Sequence, residues 1–197
     1  MARYSIIIPG EYSEERVDAL LQCLPEWRRE EALRFKHRQG QRECTLSYHL
    51  LCQMVDGQPE FVRGEHGKPS VTSPGLQFNL SHCKTAIGCI VSELSPVGID
   101  VECLGRYREA LARYCMNDDE LRQIAESGDP DAVFTLLWTK KEALLKLTGE
   151  GITDDMKNCL LSDRMRGVTI ESGYDKEKGY AYSIAHADDD VAVRVVQ

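Results

Sequence analysis

Residues 131–147 constrain this chain most. Val133, Phe134, Leu137, Trp138, Leu144 and Leu145 fall on one arc at helical spacing. The segment therefore predicts a long helix whose apolar stripe the rest of the chain must cover. Gly128-Asp-Pro130 breaks the chain before it, and Gly149-Glu-Gly151 stops it. Glu142 and Lys146 lie one turn apart on an adjoining face with Thr135 and Thr139. Taken alone they read as a surface i,i+4 ion pair worth about 0.2–0.5 kcal/mol. Lys141 interrupts the apolar arc. It must either extend past the core to water or meet an anion at the core's edge.

Short apolar runs at 76–80, 86–91 and 97–101, bounded by turn residues, predict strands. An opening strand is expected at 3–8, and further strands at 167–171, 179–185 and 191–196, with turns at Ser172-Gly173 and Ala187–Asp190. Helices are expected at 13–22, with Ser13 as N-cap, and at 42–56, with Leu46, Leu50, Leu51 and Met54 on one face. Two more are expected at 106–115 and 118–126. The Gly/Pro-punctuated stretch 64–75 reads as loop. Strands and helices thus occur twice, with a seam near Ser95-Pro96. The expectation is an α+β protein of two similar lobes, 1–95 and 96–197, sharing one interface and acting as one unit. A chain of 197 residues buries around 70% of its unfolded surface, so its core needs no external staple.

A net charge of −8 argues against nucleic acid or an anionic membrane as the main partner. Basic charge is concentrated at 27–42, where Arg28, Arg29, Arg34, Lys36, Arg38 and Arg42 face only Glu30 and Glu31. That cluster reads either as a solvated helix face or as a site for an anionic group. No run approaches the roughly 18 apolar residues of a membrane span. The opening MARYSIIIPG lacks the features of a secretion signal. Eight scattered cysteines without a Cys-x-x-Cys read as small buried hydrophobes in a reducing compartment, so the cytoplasm is expected. Zinc-ligand spacing is absent.

In the run Val97-Gly-Ile-Asp-Val-Glu102, strand alternation puts Asp100 and Glu102 on one face and Val97, Ile99 and Val101 on the other. Gly98 permits close approach of another backbone. A solvated strand face is the plain reading. With Glu142, however, these acids make three carboxylates that could converge on a hard cation such as Mg2+, which takes one or two carboxylates, waters and substrate phosphates. Asn79-Leu-Ser-His82 ends a strand and presents a hydroxyl, Ser81, and an imidazole, His82, where loops commonly hold ligands. Gly67-Lys68-Pro69 sets a lysine on a rigid turn. Together these groups suggest a phosphate-handling enzyme.

The series Gly67-Lys-Pro69, Phe78-Asn-Leu-Ser-His82, Val97-Gly-Ile-Asp-Val-Glu102 and Trp138-Thr-Lys-Lys-Glu-Ala-Leu-Leu-Lys146 resembles the 4′-phosphopantetheinyl transferases, in the order found in that family. The likeness is to the larger, monomeric type that activates surfactin synthetase. It implies two α+β lobes related by a pseudo-two-fold axis, with coenzyme A between them. The implied reaction moves the phosphopantetheine arm of coenzyme A to a serine of an apo acyl or peptidyl carrier protein and releases adenosine 3′,5′-bisphosphate. By the same resemblance Asp100, Glu102 and Glu142 would hold Mg2+ on the pyrophosphate, and Asp100 would border the coenzyme A site. Lys146 would contact phosphate with Lys141 close by, while Arg28, Lys68, Ser81 and His82 would bind the nucleotide end. Glu142 would take the serine proton. A non-catalytic coenzyme A-binding relative and a metal-dependent phosphohydrolase are the alternatives. Three features depart from the family pattern: Cys83, where serine is common, Glu31, where a basic residue can assist, and residues 113–120. Residues 106–116, with Arg106, Arg108 and Arg113, are the expected carrier-docking helix.

Overall fold

The computed structural model describes residues 1–59, 61–63, 69–71, 75–149, 151 and 156–195. In chain order the elements are β1 (Ala2–Ile7), α1 (Glu14–Cys23), α2 (Glu26–Leu33), α3 (Arg38–Met54), β2 (Phe61–Arg63), β3 (Pro69–Val71), β4 (Gln77–His82), β5 (Ile87–Ser92) and β6 (Gly98–Cys103). They continue with α4 (Glu109–Cys115), α5 (Asp118–Glu126), α6 (Pro130–Thr148), β7 (Val168–Asp175), β8 (Tyr180–Ala187) and β9 (Ala192–Arg194). The fold is α+β, as the sequence predicts.

One topology occurs twice. A strand (β1 or β6) leads through two shorter helices (α1 and α2, or α4 and α5) into a long helix (α3 or α6), and a hairpin follows (β4-β5 or β7-β8). In both halves the first strand pairs antiparallel with the second strand of the hairpin, giving the orders β4-β5-β1 and β7-β8-β6. The repeat does not end at the chain's midpoint, because β9 runs parallel to β1 and extends the first sheet. The last strand of the expected C-terminal lobe therefore completes the N-terminal sheet.

The first half has its core between α3 and its sheet, with Leu46, Leu50, Leu51 and Met54 against Phe78, Ile87, Cys89 and Val91. The second long helix buries Phe134 and Leu137 against Ala112, Cys115 and Met116 of the α4 region and Ile124 of α5. Val133 and Trp138, expected on the same arc, are only partly buried at the rim of that cluster. A further cluster joins the halves: Tyr4 and Ile90 of the first sheet pack on Ile99 and Ile184 of the second. Gly88 makes room there, since a Cβ on it would lie 2.7 Å from the Ile99 side chain.

Two glycines fix how the second half closes. A Cβ on Gly98 would sit 2.0 Å from the Ala143 carbonyl oxygen, so only glycine lets β6 lie this close to α6. A Cβ on Gly173 would meet the Tyr182 ring at 2.8 Å. Here the sequence expectation is corrected: Ser172-Gly173 is not a turn but mid-strand, its glycine accommodating the ring opposite. The reversal comes after Asp175, whose carboxylate accepts from the Lys178 N–H, with Gly179 at φ 73°. The helix expected from residue 106 starts at Glu109 instead. The Asp131 carboxylate takes the N–H groups of Gly105 (2.6 Å) and Tyr107 (2.9 Å), which holds the lead-in out of helical geometry.

Candidate active site

The two halves meet where β4 runs beside the free edge of β6. Among the described residues no backbone bonds backbone there, and side chains of β4 make the link. The Ile99 N–H donates to Asn79 Oδ1 (3.0 Å), and two residues further along each strand the Val101 N–H donates to Ser81 Oγ (3.2 Å). The alternation of strand side chains accounts for the two-residue step. Asn79, quoted in the sequence motif without a role, is thus a bridge between the halves.

Ser81 is the hub of this seam. Its hydroxyl donates to Asp100 Oδ1 (2.9 Å) and accepts from Lys146 Nζ (3.0 Å) as well as from Val101. Its one proton and both lone pairs are therefore committed within the protein, and the residue is 7% exposed. Lys146, one turn beyond Glu142 on α6, also donates to Asp100 Oδ1 (2.6 Å) and to the Ile99 carbonyl (3.2 Å). Asp100 is buried, and its other oxygen, Oδ2, has no hydrogen-bond partner among the described residues.

Ser81, Asp100 and Lys146 line a groove of about 340 Å³ with His82, Glu102, Trp138 and Glu142. Three acids in one groove repel one another, and basic partners relieve two of them. Lys146 neutralises Asp100, and Arg106 bonds Glu102 at 2.5 Å. Glu142 is left with a buried Oε1 that has no hydrogen-bond partner among the described residues. Burial, then the neighbouring Asp100 charge, push its carboxyl above the usual range; Lys146 pulls it back and Glu102 adds to the rise.

Among the described residues, no three His, Cys, Asp or Glu side chains form a group that could hold a metal ion. The expected triad is split by the turn of Glu102 towards Arg106. Two carboxylate oxygens without partners, Asp100 Oδ2 and Glu142 Oε1, nevertheless belong to the one groove. Buried acceptors left open in this way suit a hard cation that takes two carboxylates and fills its remaining positions with water and phosphate.

The other expected site residues are distributed unevenly. His82 is exposed at the groove's rim, its Nε2 3.7 Å from Glu43 Oε2. Arg28 is turned into the first half, bonding Glu31 (2.6 Å) and the Cys44 carbonyl (3.1 Å), so the glutamate noted as a departure offsets its charge. Arg38 and Arg42 of the same basic run bind Glu14, and Arg38 also binds Asp18. Lys68 lies outside the described residues.

Lys141 requires a correction. It is fully buried, pairs with Glu120 at 2.8 Å and donates to the carbonyls of Met156 (2.9 Å) and Lys157 (2.8 Å). The anion it meets is internal, so it ties α6 to α5 and to the segment after α6, and it is not a phosphate contact. The docking helix changes too. Arg106 is held by Glu102, Arg113 by Glu109 and Met116 is buried, so of its three exposed arginines only Arg108 has no carboxylate partner among the described residues, and Tyr114 is 75% exposed beside it.

A family model described as the 4′-phosphopantetheinyl transferase superfamily matches residues 96–196, the stretch that carries β6, α6, β7 and β8. The chain is 30% identical over 160 residues to 4′-phosphopantetheinyl transferase HetI of Nostoc sp., which covers 74% of this chain and 68% of the relative. It is 26% identical over 164 residues to 4′-phosphopantetheinyl transferase ffp of Bacillus subtilis, covering 78% of this chain and 72% of that one. With 4′-phosphopantetheinyl transferase Sfp of Bacillus subtilis strain 168 it shares 22% identity over 211 residues, 96% of this chain and 94% of the relative.

Proposed function

Because the chain belongs to the 4′-phosphopantetheinyl transferase superfamily, an enzyme family that modifies carrier proteins, we propose that it moves the phosphopantetheine arm of coenzyme A to a carrier-protein serine. Adenosine 3′,5′-bisphosphate is the product released. The serine oxygen forms a bond to the phosphorus bearing the arm, and the bond from that phosphorus to the bisphosphate breaks.

The observation that carries this reading is the groove between the halves, where Lys146 stands beside two open carboxylate oxygens, Asp100 Oδ2 and Glu142 Oε1. Asp100 and Glu142 would hold Mg2+, and Glu102 would join them by leaving Arg106 or through water. A bound Mg2+ would neutralise charge on the pyrophosphate, the main need of a phosphoryl-type transfer.

The chain's own residues do the rest. Lys146, resting on Asp100 and Ser81, is placed to move its ammonium to a phosphate oxygen of the donor. Ser81 orients Asp100 and Lys146 and does not itself touch nucleotide. His82 at the rim is the candidate for the nucleotide's 3′-phosphate, with Lys68 as its expected companion. Glu142, whose carboxyl burial and Asp100 push upward, is suited to receive the serine proton. Between residues 1–95 and 96–197 the labour divides at the seam: Asn79 and Ser81 of the first supply neutral hydrogen bonds, and the second supplies the acids and Lys146. A complete site within one chain favours a monomer. Among the described residues no helix is long and apolar enough to cross a membrane.

The test is transfer itself. The protein is incubated with coenzyme A, Mg2+ and a panel of apo acyl and peptidyl carrier domains, and each carrier is weighed. A carrier should gain the mass of the arm, and Asp100→Asn should not support the gain. Bisphosphate release without carrier modification would replace transfer by hydrolysis. Coenzyme A binding with neither product would mean a binding protein.

A further inference from the structure

The stepped register of the seam continues one rung past the groove. Asn79 meets Ile99 and Ser81 meets Val101, so the next pair in the series is Cys83 with Cys103. The structure bears this out through a shared partner. Cys83 Sγ lies 3.5 Å from Thr85 Oγ1, and Cys103 Sγ lies 3.4 Å from the same oxygen. Thr85 spends its only proton on the Gly179 carbonyl (3.2 Å). Its two lone pairs are then the acceptors for the two thiols, one each. Two S–H groups on different strands thus converge on one oxygen. Neither cysteine is paired elsewhere, and both are partly exposed. They follow directly on two groove residues: Cys83 succeeds His82, and Cys103 succeeds Glu102.

We propose that Cys83 and Cys103 form a redox-modifiable pair, and that their oxidation to a disulfide closes the seam at the mouth of the groove and lowers transfer. The oxidant is a low-molecular-weight disulfide. Its S–S bond is reduced to two free thiols while the two protein thiols, losing two hydrogens between them, become one S–S bond. The bond requires the sulfurs to approach to about 2.05 Å with Cβ atoms about 3.8 Å apart. The two sulfurs must close to that distance from their shared contact with Thr85 Oγ1, which draws the two strands together at this end of the seam. The residues drawn along are His82 at the rim and Glu102 in the groove. A displacement of ~1 Å at such a site is the scale that costs on the order of a hundredfold in rate. Thr85 loses both thiol donors and keeps its bond to the Gly179 carbonyl.

The loss of transfer rests on the function proposed above, whereas formation of the bond does not, and the experiment reads the two separately. The full chain is equilibrated with oxidised and reduced glutathione at graded ratios, and thiols are then blocked and peptides mapped by mass. The expected product is a crosslinked pair of peptides bearing Cys83 and Cys103, lighter by two hydrogens. Transfer to an apo carrier should fall roughly tenfold or more as the pair forms and return with dithiothreitol. Cys83→Ser and Cys103→Ser should each keep their transfer rate through the same treatment. Glutathione found singly on either cysteine, or a crosslink elsewhere with these two still reduced, overturns the pairing. A complete crosslink with an unchanged rate overturns its effect on transfer. If the reduced protein shows no transfer at all, the functional reading fails while the crosslink remains measurable in the map.

Discussion

Glu142 is placed for chemistry at the expense of stability, and Glu142→Gln measures how much. Its Oε1 is buried without a hydrogen bond, and its charge faces Asp100 and Glu102 across the groove. A buried polar group left unsatisfied costs about 1–3 kcal/mol. Because Glu142 is only half-buried, solvent screening favours the lower end, about 1 kcal/mol. Glutamine keeps the shape, removes the charge and brings an amide N–H into a groove where Asp100 Oδ2 lacks a donor. For a chain of this size, ~1 kcal/mol corresponds to a rise in Tm of ~2–4 °C. The sign with pH follows from linkage. Burial and Asp100 raise the folded-state pKa of Glu142 above its unfolded value, so the ionised group disfavours folding. That cost is complete above the folded pKa and gone below the unfolded one. The variant's advantage should therefore be largest at pH 8 and close as pH falls into the acid range. Thermal unfolding of both proteins, without divalent ions and across pH, gives the comparison. Added Mg2+ should raise the wild-type Tm more than the variant's, by binding only the folded state. The variant should not support transfer. A wild type as stable as Glu142→Gln at pH 8 would refute the reasoning, because the carboxylate would then have a partner after all.

Four other changes separate the roles of single residues. Gly98→Ala drives a Cβ into the Ala143 carbonyl, where the obstacle is backbone and cannot rotate away; a loss of ~3 kcal/mol is expected in chemical denaturation, and a normal midpoint would show that α6 can shift. Lys141→Ala leaves Glu120 buried and unpaired, so it should cost about 3–5 kcal/mol. A stable Lys141→Ala protein that merely binds coenzyme A less well would return this lysine to the nucleotide site. If His82 holds the 3′-phosphate, coenzyme A should bind more tightly than its 3′-dephospho form by ~1.5–3 kcal/mol. In that case calorimetry on His82→Ala should show most of the preference gone, and an undiminished preference would move the phosphate elsewhere. Arg108→Glu should raise the apparent KM for an acidic carrier, more at low salt than at high salt, without changing coenzyme A affinity; parallel loss of both would remove α4 as the docking face.

What was legible in the sequence was what side-chain periodicity controls. The stripe through Phe134, Leu137, Leu144 and Leu145 announced α6, and alternation in 97–102 put Asp100 and Glu102 on one face of β6. Three acids, a hydroxyl, an imidazole and a lysine named from the chain do line one groove. What periodicity cannot report is a partner distant in sequence. Lys141 interrupts the apolar arc, which says that it needs an anion but not that Glu120 supplies it from α5. The basic run at 27–42 looked like an anion site, yet most of its bonds go to Glu14, Asp18 and Glu31 within the first half. Gly173 resembled a turn signal because a glycine reads alike whether it frees φ or makes room for a ring. Arg106 and Asn79 were visible as residues but not as neighbours of Glu102 and Ile99.

The site's location follows from how the repeated halves are joined. Strands paired through their backbones lie about 4.7–4.9 Å apart, too close to admit a substrate between them. At this seam the free edge of β6 is satisfied by Asn79 and Ser81 side chains, which keep β4 further away than a ladder would. The edge is covered, as an exposed strand edge must be, while the space between the strands stays open. Alternation then directs Asp100 and Glu102 into that space while Ile99 and Val101 pack in the core. Gly98 presses α6 onto the same strand, which brings Glu142 and Lys146 to the opening from the other side. The halves share a strand order but not a chemistry. The first contributes groups that can donate and accept without charge, and the second contributes three acids and a lysine. A groove whose acids and Lys146 come from one side, with Asn79 and Ser81 as neutral anchors on the other, can bind a cation and an anionic donor without first breaking an ion pair across the seam.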